Sequence, residues 1–117
     1  MTKLERIGAA ARWSDAVIVG NIIFLAGHTA EKTAGRSMRE QTEEVLASLD
    51  DTLAQAGVTK RNLASVQIYL ADMAGFEEMN AVWDRWVIPG EAPARATVES
   101  RLASPDLLIE IVAVAAR

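Results

Sequence analysis

The 117-residue chain contains no cysteine. That excludes disulfides, a thiolate nucleophile and cysteine metal sites, and it fits a reducing cytoplasm. The chain also lacks a basic stripe. Its 12 lysines and arginines are outnumbered by 16 acids, giving a net charge of −4 spread along the sequence. Strong nucleic-acid binding is therefore not expected. There is no long hydrophobic run. The most apolar early segment, Ala16 to Gly27, is broken by Gly20-Asn21, and it is too short to cross a bilayer. The N-terminus, with Lys3, Glu5 and Arg6, lacks the apolar core and cleavage site of an export signal. Repeats, linkers and low-complexity segments are missing too. Residues 1–117 are accordingly expected to form a single domain. Such a chain buries roughly two-thirds of its extended surface, enough for a core without staples.

Lys3 to Gly8 reads as a short strand, which Ala9 to Ala11 either extend or leave as a loop. Ala16–Val19 and Ile22–Ala26 are β-branched or apolar runs separated by Gly20-Asn21, a hairpin pattern. Both arms are apolar on both faces. The second face therefore needs a cover, from the same chain or from another subunit. Gly27-His28-Thr29 leaves the second arm. Ser37-Met38-Arg39-Glu40 has capping-box spacing. The helix that follows places Met38, Thr42, Val45, Leu46, Leu49 and Leu53 on one stripe, with Gln41 and Glu44 mostly off it, and stops at Gly57. Leu63 to Leu70 is a strand with Val66, Ile68 and Leu70 on one side. A second helix runs from about Phe76 to Val87. Its broad stripe contains Met79, Trp83 and Trp86, and Asn80 lies near the edge. Pro89-Gly90 ends it.

Pro93 favours extended backbone at Ala92, so a strand can begin just after it. On that strand Arg95, Thr97 and Glu99 share one face. A guanidinium there can grip a carboxylate through two parallel hydrogen bonds. After a turn at Ser104-Pro105-Asp106, Leu107 to Ala115 is nearly unbroken apolar strand except for Glu110. A carboxylate in such a strand must be paired, hydrogen-bonded or protonated. If the Arg95 and Glu110 strands pair, both groups could face one pocket. A cation to hold an anionic substrate and an acid to direct water would suit hydrolysis. The same two residues would also serve as a plain ion pair closing a subunit interface. The element order β-β-β-α-β-α-β-β predicts an α+β fold with its helices on one face of a sheet.

Ala92-Pro93-Ala94-Arg95-Ala96-Thr97-Val98-Glu99, followed by Ile109-Glu110-Ile111-Val112-Ala113, resembles the signature of the RidA/YjgF family of reactive-intermediate deaminases. Gly20-Asn21 with Leu25-Ala26-Gly27, Gln41-Thr42 with Leu46 to Gly57, and Phe76-Glu77-Glu78-Met79-Asn80 extend the likeness over nearly the whole chain. The resemblance implies a chorismate-mutase-like fold, a mixed six-stranded sheet with two helices on one face. It also implies a cytoplasmic homotrimer with sites between subunits. The implied activity is hydrolysis of 2-imino acids or enamines to 2-keto acids and ammonia, with no cofactor, no metal, no membrane and no nucleic-acid partner. In that reading Arg95 holds the substrate carboxylate and Glu110 positions water. Backbone groups of Gly27 and Thr97 contact the ligand, and Asn80 stands near the site.

Four positions depart from the family pattern. Ala26 stands for a serine, His28 for a glutamine, Trp13 for a tyrosine and Thr97 for a cysteine. They alter the pocket lining, so the substrate range stays open. His28, the only histidine, could titrate near neutrality, but no sequence partner marks it as a base. Trp83 and Trp86 are assigned to packing. Two other readings compete. One is a non-catalytic binder that senses a 2-keto acid in the same cleft. The other is a protein acting on nucleic acid, which the acidic balance disfavours.

Overall fold

A computed structural model describes residues 3–117. Six strands form one sheet: β1 (Leu4–Ile7), β2 (Ala16–Val19), β3 (Ile22–Thr29), β4 (Leu63–Leu70), β5 (Ala94–Glu99) and β6 (Ile109–Ala116). Two helices, α1 (Met38–Gln55) and α2 (Phe76–Trp86), complete it. The strand order is β1-β2-β3-β6-β4-β5. Only β4 and β5 pair in parallel; the other neighbours are antiparallel. The mixed α+β arrangement is therefore the expected one.

The β2–β3 hairpin closes on two residues, Gly20-Asn21, between Val19 and its register partner Ile22. Only Gly20 has positive φ, at 59°, which is the turn pattern that needs glycine first. Ser37 caps α1: its hydroxyl accepts from the Glu40 amide and donates to Glu40 Oε1. The predicted stripe of α1 is buried throughout. Gln41, read as lying off that stripe, is also fully buried. β4 alternates as predicted, with Val66, Ile68 and Leu70 buried.

One sheet face carries the core. Ile23, Leu25, Ile68, Ile109 and Ile111 meet Val45, Leu46 and Leu49 of α1 and Met79, Val82 and Trp83 of α2. The opposite face has no layer of this chain on it. Phe24 is 49% exposed, Val98 46% and Ile22 39%. A thin dimension of 20 Å matches one sheet plus one helical layer. No helix of the described residues is long and apolar enough to cross a membrane.

Glu44 fastens the loop before α1 to the helix. Its carboxylate accepts from the Thr33 amide at 2.8 Å, the Thr33 hydroxyl at 2.7 Å and the Lys32 amide at 3.1 Å. Partial burial opposes ionisation, but these donors outweigh it and hold the carboxyl below its ordinary range. A depressed folded-state value contributes stability above the unfolded value and loses it as pH falls through the folded one. Glu44→Gln is therefore expected to destabilise by about 1 kcal/mol at neutral pH. The gap should shrink to nothing in acid, below the ordinary carboxylate range. Paired thermal melts at neutral and acid pH check this. An equal gap at both would show that the charge is not what holds the loop.

Candidate functional site

The sequence pattern left open whether the Arg95 and Glu110 strands pair, and they do not. β4 lies between β5 and β6. The connection β4–α2–β5 returns the chain parallel to β4 on its free edge, so β5 ends the sheet. Arg95 is in register with Val66 and Thr97 with Ile68, both buried under the helices. Glu110 is in register with Tyr69, on the bare face. Because side chains alternate across a sheet, Arg95 and Glu110 of one chain occupy opposite faces. The structure thus holds two groups of candidate residues rather than one pocket.

The first group sits on the sheet edge under α2. Arg95 is half-buried, and its Nη1 donates to Asn80 Oδ1 at 2.8 Å. The guanidinium carbon lies 5.2 Å from the centre of the Trp83 ring and 5.9 Å from that of Phe76. Ring faces attract a cation. A neutral amide and two rings hold the group in place without neutralising it. The ion pairs of the described residues are Arg36–Glu40, Arg39–Glu43 and Arg61–Glu91; Arg95 has no carboxylate partner among them. The guanidinium therefore keeps donors beyond the one spent on Asn80 and has no counter-charge among these pairs. Thr97 stands two residues on. Its hydroxyl oxygen is buried with no hydrogen-bond partner.

α2 is itself tied to β5. Glu99 Oε1 accepts from the Met73 amide at 2.9 Å, and Asp72 Oδ1 accepts from the Ala74 amide at 2.9 Å. These bonds fix the single 3-10 turn, Met73–Gly75, that leads into α2. At the other helix, Glu78 Oε2 accepts from the Arg39 amide in the first turn of α1, where a carboxylate meets free N–H groups.

The second group sits on the bare face, where β3 meets β6. The register there slips between Leu25 and His28, a bulge at Ala26-Gly27. Gly27 faces Glu110 so closely that a Cβ there would overlap Glu110 Oε2 and lie 2.9 Å from its Cδ. Only the absence of a side chain lets the carboxylate lie over this backbone. Among the described residues no donor is hydrogen-bonded to that carboxylate. Trp13, 59% exposed, belongs to the β1–β2 connection. That connection is anchored beside the bulge by the Ala26 amide, which donates to the Asp15 carbonyl.

His28 joins neither group. It lies within β3, which runs on to Thr29 rather than ending at Ala26. The bulge turns its ring to the helix side. Nδ1 is 2.7 Å from the Ala26 carbonyl and Nε2 is 2.9 Å from Thr52 Oγ1 on α1. A carbonyl only accepts, so Nδ1 carries a proton. The ring is a brace between the bulge and α1 and does not line a pocket with Glu110. The buried Thr52 was the signal for this, since it falls on the inner side of α1. Trp86 lies at the helix–helix seam and donates from Nε1 to Asp50 at 2.9 Å.

Comparison with known proteins places this arrangement. The family model described as Endoribonuclease L-PSP matches residues 3–117. A RutC family protein of Haemophilus influenzae is 42% identical over 112 residues, covering 96% of this chain and 97% of the relative. RutC family protein YoaB of Escherichia coli is 40% identical over 113 residues, covering 97% of each. The crystal structure of a YjgF-family protein from Neisseria meningitidis superposes with a TM-score of 0.95 at 42% identity, covering 98% of this chain and 95% of that one.

The bulge geometry gives a test of its own. Gly27→Ala need not disturb the core, because the obstructing atoms are the far end of a flexible side chain. The expected loss of stability is under about 1 kcal/mol. The Glu110 carboxylate should be displaced, which a crystal structure of the variant would show. An unmoved carboxylate would mean that the backbone, and not Glu110, yields.

Proposed function

The chain belongs to the L-PSP family, also called YjgF/RidA, and on that premise we propose that it hydrolyses 2-imino acids or their enamine tautomers to 2-keto acids and ammonia. The carrying observation is Arg95: half-buried, fixed by Asn80, flanked by two rings, and without a carboxylate among the described residues. It suits a small anionic substrate whose carboxylate accepts two parallel hydrogen bonds. Glu110 takes a proton from water as the water oxygen bonds to the imine carbon. Glu110 returns that proton to the carbinolamine nitrogen, the C–N bond breaks to release ammonia, and the hydroxyl gives its proton to Glu110 as the C=O bond of the keto acid forms. A protonated imine is electrophilic already, so orientation and one base suffice.

One chain keeps these two residues on opposite faces of its sheet, so the working site is made between copies. The edge group of Arg95, Thr97 and Asn80 comes from one subunit. The Glu110 group, with Gly27, Ala26 and Trp13, comes from the next. The apolar face around Phe24 and Val98 is the surface against which copies pack, as a cytoplasmic homotrimer. The competing reading, a 2-keto acid sensor, uses the same cleft without turnover.

Ammonia release from 2-iminopropanoate, generated in a coupled assay, separates the two. Arg95→Ala and Glu110→Gln should each lower kcat/KM by at least about 100-fold in folded protein. Co-assembly of the two variants should restore part of the activity, because mixed oligomers contain some sites with both groups intact. Wild-type turnover in Arg95→Ala would remove the proposal. Saturable keto-acid binding without faster ammonia release would favour the sensor. Failure of the mixture to recover would place both groups in one subunit.

A further inference from the structure

Gln41 is fully buried, yet the helical stripe gives it no apolar role. Its amide is spent on backbone. Nε2 donates to the Asp106 carbonyl at 2.9 Å and to the Arg36 carbonyl at 3.1 Å. Oε1 accepts from the Leu108 amide at 2.8 Å. The amide can be oriented only this way, since a flipped group would set oxygen against two carbonyls. Donating to residue 106 and accepting from residue 108 is the pattern a neighbouring parallel strand would offer to Leu107. The side chain therefore acts as a one-residue strand at the start of β6. The Gly35 amide adds a second bond to the Asp106 carbonyl at 2.9 Å, and the Ala71 amide donates to the Leu108 carbonyl at 3.0 Å.

Glu110 is the second residue of β6, just after the Ser100–Leu108 connection, in register with Thr29 and Tyr69. Strand ends open locally at far lower cost than strand centres, and a shift of one residue would turn Glu110 to the helix face. The interleaved core fixes the middle of β6. The residues that lead into it, 106 and 108, are held by the Gln41 amide together with the Gly35 and Ala71 amides.

We propose that Gln41 is a positioning residue for the reaction, holding the start of β6 so that the Glu110 carboxylate stays over Gly27. The role rests on the hydrolase reading above. It predicts an effect on turnover and none on carboxylate binding, since Arg95 is carried by β5 and α2.

The test is the pH dependence of kcat and KM for Gln41→Glu, in the full oligomer below its melting temperature. The introduced carboxyl, when protonated, can still donate to Asp106. When ionised it faces two carbonyls and is repelled. kcat should therefore fall reversibly as pH rises, by about ten-fold or more, with KM within about two-fold of wild type. The wild-type enzyme should lack that limb. Should Gln41→Glu fail to fold, Gln41→Met keeps the side chain's length and removes its three hydrogen bonds to residues 36, 106 and 108. It should lower kcat alone. A folded variant of either kind with wild-type kcat across the pH range would overturn the proposal. Glu110→Gln is assayed alongside. If it retains wild-type turnover, the hydrolase reading itself fails and takes this role with it. If it is inactive while Gln41→Glu is unaffected, only the positioning role fails.

Discussion

The sheet has one covered face and one bare face, and the role of each residue follows from which side it takes. Both helices follow strands whose buried partners lie on the same side. The core of Ile23, Leu25, Ile68, Ile109 and Ile111 is therefore one continuous layer against α1 and α2. Alternation then forces every second residue outward. In β3 and β5 those outward residues are Ile22, Phe24, Ala96 and Val98, not the polar set that a solvated antiparallel face would carry. A chain that built only for its own interior would not need them. The bare face thus carries apolar side chains that no layer of this chain covers, as a surface built for apposition would.

The same two-sidedness decides what could be read without coordinates. Alternation and helical spacing are local, and they located β4, the stripe of α1 and the Ser37 cap to within a residue or two. Neighbour relations between strands are not local. The short connection from Glu99 to Ile109 invites pairing of β5 with β6. The β4–α2–β5 unit takes precedence, because a helical crossover returns the chain beside and parallel to the strand it left. β6 then fills the place between β3 and β4. Gln41 escaped notice for a related reason. A polar residue off the apolar stripe reads as solvated unless one knows that the carbonyls of residues 36 and 106 and the amide of residue 108 lie against it. His28 was obscured by the bulge at Ala26-Gly27, which shifts the alternation of β3 by one residue and sends the ring to Thr52.

Charge without compensation is the other constraint that local pattern could not supply. An arginine near a surface is usually solvated or paired, and either condition makes it inert towards a small anion. Arg95 satisfies neither. Asn80 fixes its direction, Trp83 and Phe76 strip water from its flanks, and no acid of the described residues neutralises it. Leaving a cation in that condition costs stability, a cost that under the proposed function a substrate carboxylate offsets. Glu110 is the mirror case, a carboxylate on an apolar strand whose nearest backbone is a glycine at a bulge.

Placing these two uncompensated groups on opposite sides of one sheet has a further consequence under the proposed function. Within one subunit they cannot neutralise each other by collapsing into an ion pair, which is the arrangement that would extinguish both. Sheet geometry keeps them apart, and apposition of two subunits brings them together with a gap between them. The separation that denies a lone chain a complete site is therefore also what preserves the charge of each half until a substrate carboxylate and a water enter the cleft.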